Sequence, residues 1–275
     1  MTLGWAAAPE LSAASREFYF EWLSGERGLS QNTVHDLLQD RDGFVWIATQ
    51  GGLHRYDGQR FRVFTQDPDA PDGLPDSYVS ALAQGEDGLL WVGSNSGYVV
   101  RMDPRSEKVL PLPADLTDGL DQYDKRVLAL LAADDLLWVA TAAGVHQLDL
   151  VQGERRTVLT LRRGDFARAL ARDPDGSLWI GTDAGLYRLP PGATQAEAMP
   201  APDRINALHL DRRGRLWLGG ANGLHLYDGG RREALVVWPS PGDGTTRREI
   251  STLAEDPAGR LWLGLKVGGL RRYDI

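Results

Sequence analysis

The chain of 275 residues contains no cysteine. This absence excludes disulfide bonds, thiolate metal sites and a cysteine nucleophile. The chain also lacks any run approaching the ~18 consecutive apolar residues that a membrane-spanning helix requires. The formal net charge is −8 and no long basic run is present, so the composition gives no general attraction for nucleic acid or anionic lipid. We therefore predict no nucleic-acid partner and no direct insertion of this chain into a membrane.

Glycine and tryptophan, by contrast, are abundant, with 32 and 9 residues respectively. Glycine is the residue of tight turns and large aromatic side chains favour strands, so this composition favours many short strands. A hydrophobic fraction of 42% is sufficient for a globular protein with a large core.

One phrase, with an acidic turn, a tryptophan and a glycine bend, recurs along the chain. It reads "DPDGSLWIGTDAGLYRLP" at residues 173–190 and "DRRGRLWLGGANGLHLYD" at residues 211–228. Alignment on the tryptophan gives six copies, spaced by 38 to 47 residues: Trp46, Trp91, Trp138, Trp179, Trp217 and Trp262. A period of ~40–50 residues with four strand-like runs is typical of a propeller blade. No stretch sustains the apolar spacing of a helical repeat.

These copies predict an all-β fold, a β-propeller of six four-stranded blades. In the first copy the strands are "TVHDLLQD", which lines the central channel, then "FVWIAT", "LHRYD" and the outer "RFRVFTQ". A catalytic residue is needed once per site, whereas a packing residue is needed once per blade. The six equivalent tryptophans therefore indicate packing between neighbouring blades.

The two ends of the chain suggest how the ring closes. The last copy stops after its third strand, and the strand-like run "REFYFEWLS" precedes the first copy. We predict that this N-terminal run pairs into the last blade, which leaves no open sheet edge. The alternative, a piece of a longer repeat array, stays open. Residues 1–16 are interpreted as a tail or clipped signal segment, and residues 17–275 as the propeller.

A candidate binding face follows from the repeat alignment. The residue pairs just before each inner strand differ from blade to blade while the blade around them is repetitive, as expected where a constant scaffold carries a variable site. From these pairs we select seven candidate ligand-binding residues: Asn32, Tyr78, Lys125, Arg126, Phe166, Arg204 and Arg248. Aromatic, basic and amide groups together suit a polar ligand with flat apolar faces, such as an oligosaccharide, or a small anion.

No catalytic, metal or cofactor site is predicted. His54, His146 and His225 occupy the same place on the third strands of different blades, too far apart to share a metal. The sequence contains no nucleophile elbow, phosphate loop or paired-carboxylate motif.

The first copy, "GLSQNTVHDLLQDRDGFVWIATQGGLHRYDGQRFRVF", resembles the blade unit of the two-component regulator propeller. Copies four to six match well, whereas copy two departs at "GSNSGYVVRMD" and copy three has a first turn one residue short. The resemblance implies the extracytoplasmic sensor region of bacterial histidine kinases, including hybrid ones, and of some diguanylate cyclases. It implies no kinase or cyclase activity for this chain, because no such domain follows the repeats.

The expected function is therefore a periplasmic ligand-sensing module that performs no chemistry. The expected partners are a small polar ligand, an oligosaccharide among the candidates, the downstream signalling domain of the same receptor, and a second copy in a homodimer. Two alternatives stay open: a propeller lyase or hydrolase with a dispersed site at the channel mouth, and a protein-interaction platform.

Overall fold

The computed structural model describes residues 28–67, 69–70, 72–110, 124–201, 204–229 and 249–275, together with the backbone of residues 233–239. The N-terminal tail, the predicted closing strand and Arg248 lie outside these ranges. Within them, no helix has the length and apolar character needed to cross a bilayer.

The described residues form strands connected by short turns. In chain order the strands are β1 (Val34–Gln39), β2 (Val45–Thr49), β3 (Gly52–Tyr56), β4 (Phe61–Phe64), β5 (Val79–Gln84), β6 (Leu90–Ser94), β7 (Val99–Asp103), β8 (Lys108–Leu110), β9 (Val127–Ala133), β10 (Leu136–Thr141), β11 (Gly144–Asp149), β12 (Arg155–Thr160), β13 (Ala167–Arg172), β14 (Leu178–Thr182), β15 (Gly185–Leu189), β16 (Glu197–Met199), β17 (Ile205–Leu210), β18 (Leu216–Gly220), β19 (Gly223–Asp228), β20 (Glu233–Pro239), β21 (Ile250–Glu255), β22 (Arg260–Leu265) and β23 (Leu270–Asp274).

Consecutive strands pair antiparallel into six sheets, one for each repeat copy. Blades 1 to 5 each have four strands, and in the described part of the chain blade 6 has three, β21–β22–β23. The fold is a six-bladed β-propeller, as the repeats predict. The four strands proposed for the first copy correspond to β1, β2, β3 and β4.

The turn between the first two strands of a blade is built around a buried carboxylate. In blade 1, Asp40 Oδ1 accepts hydrogen bonds from the backbone N–H groups of Asp42 (3.0 Å) and Phe44 (2.9 Å). Its Oδ2 accepts a hydrogen bond from Trp46 Nε1 (2.6 Å). The same carboxylate–indole bond recurs in three other blades: Asp173–Trp179, Asp211–Trp217 and Asp256–Trp262. The repeated acidic turn thus fixes the repeated tryptophan in place.

The tryptophans of blades 1 to 5 each pack against the next blade, which confirms their structural role. Trp46 lies in one buried cluster with Val79 and Leu82 of blade 2, and Trp91 lies in another with Val127 of blade 3. Trp138, Trp179 and Trp217 lie in equivalent clusters that extend into blades 4, 5 and 6. Five blade–blade interfaces are therefore closed by the same kind of packing.

The interface between blade 6 and blade 1 differs from the other five, and we call it the seam. In the described part of the chain, no buried cluster joins Trp262 to blade 1. Leu37 of blade 1 is 61% exposed, whereas its repeat equivalent Leu82 is 6% exposed. Large apolar side chains exposed on the two blades that flank the seam are Val34, Leu37, Val63, Val267 and Leu270.

This contrast predicts that replacing leucine by alanine at this repeat position lowers the free energy of unfolding by different amounts in blades 1 and 2. Leu82→Ala is expected to lower the free energy of unfolding by about 2–4 kcal/mol, because it opens a cavity at a closed interface. Leu37→Ala is expected to change it by no more than about 0.5 kcal/mol, because most of that side chain is already in water. Urea unfolding of both variants measures the difference. Equal losses would contradict the open seam.

Candidate functional site

The residues that precede each inner strand lie on one face of the propeller. The bends between the second and third strands lie on the same face. Backbone hydrogen bonds join the two sets within a blade. Asn95 N–H donates to Tyr78 O (3.0 Å), Asp183 N–H to Phe166 O (3.1 Å), and Lys266 N–H to Glu249 O (2.9 Å). We call this surface the mouth face.

Blades 4 to 6 contribute a charged half of the mouth face. The Arg168 guanidinium donates to both carboxylate oxygens of Asp183, at 2.5 and 2.9 Å. Arg204 of blade 5 lies 3.0 Å from Asp183 and 3.8 Å from Glu249 of blade 6. Lys266 Nζ lies 3.3 Å from Glu249. Arg204 therefore links the carboxylates of two neighbouring blades.

The backbone at Arg204 is strained. Its φ of +42° lies in the left-handed region that residues with a Cβ rarely adopt. A Cβ at Gly220, in the adjacent bend, would lie 2.1 Å from Arg204 O, so only glycine permits this close approach. Strain of this kind concentrates at binding sites, where the surrounding structure maintains it.

Phe166 joins the charged half to blade 3. The guanidinium of Arg126 lies 5.1 Å from the Phe166 ring centre, and that of Arg168 lies 5.3 Å from it. Both distances are within the range of a cation–π contact. Among the described residues, Arg126 has no carboxylate within ion-pair distance.

Blades 1 and 2 contribute an aromatic half of the mouth face. The rings of His35 and Tyr78 stack with their centres 5.0 Å apart. Gln50 Nε2 donates a hydrogen bond to the Tyr78 hydroxyl (3.2 Å). Asn32, which precedes β1, is exposed, and about half of the Tyr98 side chain of blade 2 is also exposed. The arrangement presents ring faces together with amide donors.

Of the seven candidate residues, the structure places Tyr78, Arg126, Phe166 and Arg204 in contacts on the mouth face. Among the described residues, no side-chain hydrogen bond or ion pair of Asn32 is found, and Lys125 packs through its Cβ and backbone against Gly97. Arg248 lies outside the described residues. Ligand binding by this set remains a prediction.

Several residues of this network are not among the seven candidates. Arg168 and His35 occupy one repeat position, the second residue of the inner strand, which also varies between blades: His35, Ser80, Leu128, Arg168, Asn206 and Ser251. This variation between blades is a sequence signal that identifies the position as part of the variable mouth face. Asp183, Glu249 and Lys266 were not selected because their roles depend on contacts between blades.

Asp36 is a further outlier on the inner strands, where the equivalent residues are small: Ala81, Ala129, Ala169, Ala207 and Thr252. Its Oδ2 accepts a hydrogen bond from Leu82 N–H of blade 2 (2.8 Å) and its Oδ1 accepts one from Leu37 N–H (2.8 Å). Burial raises the pKa of Asp36 to about 6, although both hydrogen bonds act in the opposite direction. This carboxyl thus connects β1 of blade 1 to β5 of blade 2.

The raised pKa of Asp36 predicts a pH dependence of stability. Because the folded state holds this proton more tightly than the unfolded state, the stabilisation is fully present below about pH 4 and is lost as the pH rises through about 6. Between about pH 7.5 and pH 5 the wild type should gain about 1.4 kcal/mol relative to Asp36→Asn. Urea unfolding at the two pH values measures it. Parallel profiles for the two proteins would contradict the assignment.

The three histidines of the third strands are structural. His54, His146 and His225 lie on β3, β11 and β19 of blades 1, 3 and 5, as the repeat alignment predicts, and all are buried. Burial lowers the pKa of each imidazole, for His146 to about 4. His54 Nε2 accepts a hydrogen bond from Ser30 N–H (2.9 Å), which anchors the start of blade 1.

Known proteins share both the repeats and the fold. A family model described as the two component regulator propeller matches residues 28–51, 73–96 and 162–184. Two of these segments run from the connection before an inner strand through the first two strands of blades 1 and 2, and the third covers the same part of blade 4. These three segments are similar to two-component regulator propeller repeats. Histidine kinase P4 of Formosa agariphila is 36% identical over 62 residues, which are 22% of this chain and 4% of the kinase.

Solved structures share the propeller fold of this chain. The extracellular domain of a hybrid two-component system of B. thetaiotaomicron has a TM-score of 0.76 at 21% identity, over 93% of this chain and 35% of that domain. Virginiamycin B lyase of Staphylococcus aureus has a TM-score of 0.66 at 16% identity, over 88% of this chain and 80% of the lyase. This chain therefore spans about a third of the first structure and a small part of the kinase.

Proposed function

We propose that this propeller is an extracytoplasmic ligand-sensing module of a bacterial signalling receptor, and that a small polar ligand binds across its mouth face. The family of the repeats and the histidine kinase relative support the receptor context. The observation that carries the binding proposal is the mouth face itself, where a repetitive scaffold presents unlike side chains that contact one another across blades.

The two halves of the mouth face favour a carbohydrate ligand. The stacked rings of His35 and Tyr78, with Gln50 beside them, offer a flat apolar surface edged by amide and hydroxyl groups. A sugar ring has an apolar face and polar edges that match such a surface. Across the mouth, Arg204 and Arg168 offer charged donors for hydroxyl or carboxylate groups. A ligand that spans both halves would bridge several blades.

A ligand that contacts several blades can transmit its binding to a downstream domain without undergoing a chemical reaction. A ligand shifts a conformational equilibrium by its difference in affinity between two states. Contacts to several blades make affinity sensitive to how the blades are arranged. Binding would therefore favour one arrangement of the propeller relative to its downstream domain.

Thermal unfolding with a panel of neutral oligosaccharides, acidic oligosaccharides and small anions tests the proposal. A ligand at a hundred times its dissociation constant should stabilise the protein by about 2.7 kcal/mol, visible as a higher unfolding midpoint. Arg204→Ala is expected to weaken that ligand's affinity by about ten- to a hundredfold, the value of a charge-assisted hydrogen bond. Tyr78→Ala should weaken it by removing the stacking surface.

Arg105→Ala is the matched control, because this exposed arginine lies in the β7–β8 turn at the opposite end of the blades. It should leave the ligand's affinity unchanged. Conversion of a bound ligand to product would instead indicate a propeller enzyme. A sharp unfolding transition that no ligand shifts would overturn the sensing proposal and favour a protein-interaction platform.

A further inference from the structure

We infer that the ligand of the mouth face carries a carboxylate on a sugar ring, and that Arg126, packed on Phe166, is the residue that binds this carboxylate. This inference deepens the proposed function and rests on it, because it names the chemical class of the ligand and the residues that select it. We call Arg126, Phe166 and Arg168 the anion subsite.

The backbone fixes Arg126 on the mouth face. The Arg126 carbonyl oxygen accepts a hydrogen bond from Ala142 N–H (3.3 Å), in the bend between β10 and β11. Tyr78 and Phe166 are held by the same kind of bond at the same position of blades 2 and 4. The guanidinium of Arg126 reaches across to blade 4, where its carbon lies 5.1 Å from the centre of the Phe166 ring. The anion subsite therefore lies between blades 3 and 4.

Arg126 lacks a counter-charge in the part of the chain that the structure describes. Its Nε is buried without a hydrogen-bond partner there, and no described carboxylate lies within ion-pair distance. Four other described arginines have such a buried nitrogen: Arg101, Arg172, Arg188 and Arg215. The last three each contact a carboxylate, and Arg101 lies on β7, away from the mouth. A cation withdrawn from water is costly unless an anion neutralises it, so a ligand anion fits this place.

The other two arginines of this half already contact carboxylates. Arg168 donates to both carboxylate oxygens of Asp183, and Arg204 lies 3.0 Å from Asp183 and 3.8 Å from Glu249. The two carboxylates are only 9% and 10% exposed, so water screens these contacts weakly. A ligand carboxylate that approached Arg168 or Arg204 would meet Asp183, whereas at Arg126 it meets no such competitor among the described residues.

Positive charge is in excess across this half of the mouth face. The contacts that run from the anion subsite to blade 6 contain four cations and two carboxylates: Arg126, Arg168, Arg204 and Lys266, with Asp183 and Glu249. The charged residues directly before Arg126 and Phe166 reduce this excess by one charge without reversing it: Asp124, Lys125 and Asp165. The whole chain has a net charge of −8. A local positive site on an acidic protein favours a small anion over a polyanion, which the rest of the surface repels.

The surroundings of Arg126 suit a carboxylate that is attached to a ring. The planar guanidinium matches the two oxygens of a carboxylate. A Cβ at Gly97 would lie 2.5 Å from Lys125 Cβ, so the bend of blade 2 packs directly against the residue before Arg126. The half-exposed Tyr98 follows Gly97 in that bend. Aromatic rings thus lie on both sides of Arg126 along the mouth, where the apolar face of a sugar can contact them.

Titration of the full-length protein with galacturonate, followed by nuclear magnetic resonance, tests the inference. The methyl ester of galacturonate is the matched ligand, because it has the same ring without the charge. The Nε–H signal of Arg126 reports on the subsite directly, and its loss in Arg126→Gln assigns it. Galacturonate should shift this signal and bind at least about tenfold more tightly than the ester. Glucuronate and its ester, which differ in the configuration of one ring hydroxyl, repeat the comparison.

Arg126→Gln should weaken galacturonate binding by about ten- to a hundredfold and leave binding of the ester unchanged. Arg126→Lys should retain part of the affinity, because its ammonium keeps the charge without the planar fork. Arg101→Gln is the matched control. Arg101 also packs on an aromatic ring, 5.8 Å from the centre of Trp91, and also has a buried Nε without a partner in the described residues. Its replacement should leave galacturonate binding unchanged.

Equal affinity for the uronates and their esters would overturn the inference, as would equal losses in Arg126→Gln and Arg101→Gln. Acetate and sulfate at the same ionic strength form the last arm. If either bound as tightly as galacturonate, the sugar ring would contribute nothing, and the assignment to a sugar carboxylate would be wrong. A neutral oligosaccharide that raised the unfolding midpoint of the wild type and of Arg126→Gln alike would also overturn the inference, while leaving the proposed sensing function intact.

Discussion

Replacing Trp91 by alanine is expected to lower the free energy of unfolding by about 3–5 kcal/mol. The Trp91 side chain is fully buried and packs against Val127, Leu137 and Leu148 of blade 3. Alanine would leave a cavity between two twisted sheets, and the sheets cannot collapse into it because each is fixed by its own backbone hydrogen bonds.

Tyr98→Ala provides the control for this substitution. Tyr98 belongs to the same blade and is an aromatic residue of similar size, but about half of its surface is exposed. Its replacement should change stability by no more than about 0.5 kcal/mol. Urea unfolding followed by far-ultraviolet circular dichroism measures both variants. Similar losses for the two would mean that burial between blades is not the source of the tryptophan's contribution.

Replacing Asp40 by alanine is expected to cost about 3 kcal/mol. The buried Asp40 carboxylate accepts two backbone N–H bonds and the indole N–H bond of Trp46. Alanine leaves these donors without that acceptor inside a tight turn, and a buried unsatisfied donor is costly. Asp40→Asn should restore part of the loss only, because its amide N–H group would face the donor of Trp46.

Asp42→Ala is the matched control in the same turn. Asp42 is exposed, and its carboxylate lies 3.6 Å from the exposed guanidinium of Arg105. An exposed ion pair contributes about 0–1 kcal/mol, so the substitution should be nearly neutral. Chemical unfolding of the two variants compares them directly. A larger loss for Asp42→Ala than for Asp40→Ala would contradict the assigned roles.

The carboxylate–indole bond strengthens blades without being indispensable to them. Six residues before the tryptophan, blade 2 has Gly85 and blade 3 has Ala132, whereas the other four blades carry aspartate. In blade 3 the Nε1 of Trp138 is buried and has no hydrogen-bond partner in the part of the chain that the structure describes. Both tryptophans are nevertheless buried between blades. Apolar packing is therefore the constant element of the repeat, and the polar bond is an addition in four blades.

Much of the turn chemistry was also predictable. In the first copy both Asp40 and Asp42 precede the turn glycine, and Gly43 adopts the positive φ that the turn requires. The buried carboxylate belongs to Asp40, whereas Asp42 is exposed. Sequence spacing alone does not distinguish them, because which aspartate faces the indole depends on the path of the hairpin.

The sequence by itself determined the all-β class, the number of blades, the strand order within a blade and the packing role of the tryptophan. These properties are local and repeated, so each copy reports them independently, and turn residues and strand patterns act over a few positions. The variable residues of the mouth face were predictable for the same reason, as departures from the repeat.

Only the tertiary structure decided which variable residues meet. The link that Arg204 makes between Asp183 and Glu249, the bridge from Asp36 to Leu82 and the platform of His35 on Tyr78 each join residues of different blades. The difference between the five closed interfaces and the seam is likewise invisible in sequence, because Leu37 and Leu82 occupy equivalent positions. Contacts across blades depend on the relative placement of whole sheets, which no local sequence pattern specifies.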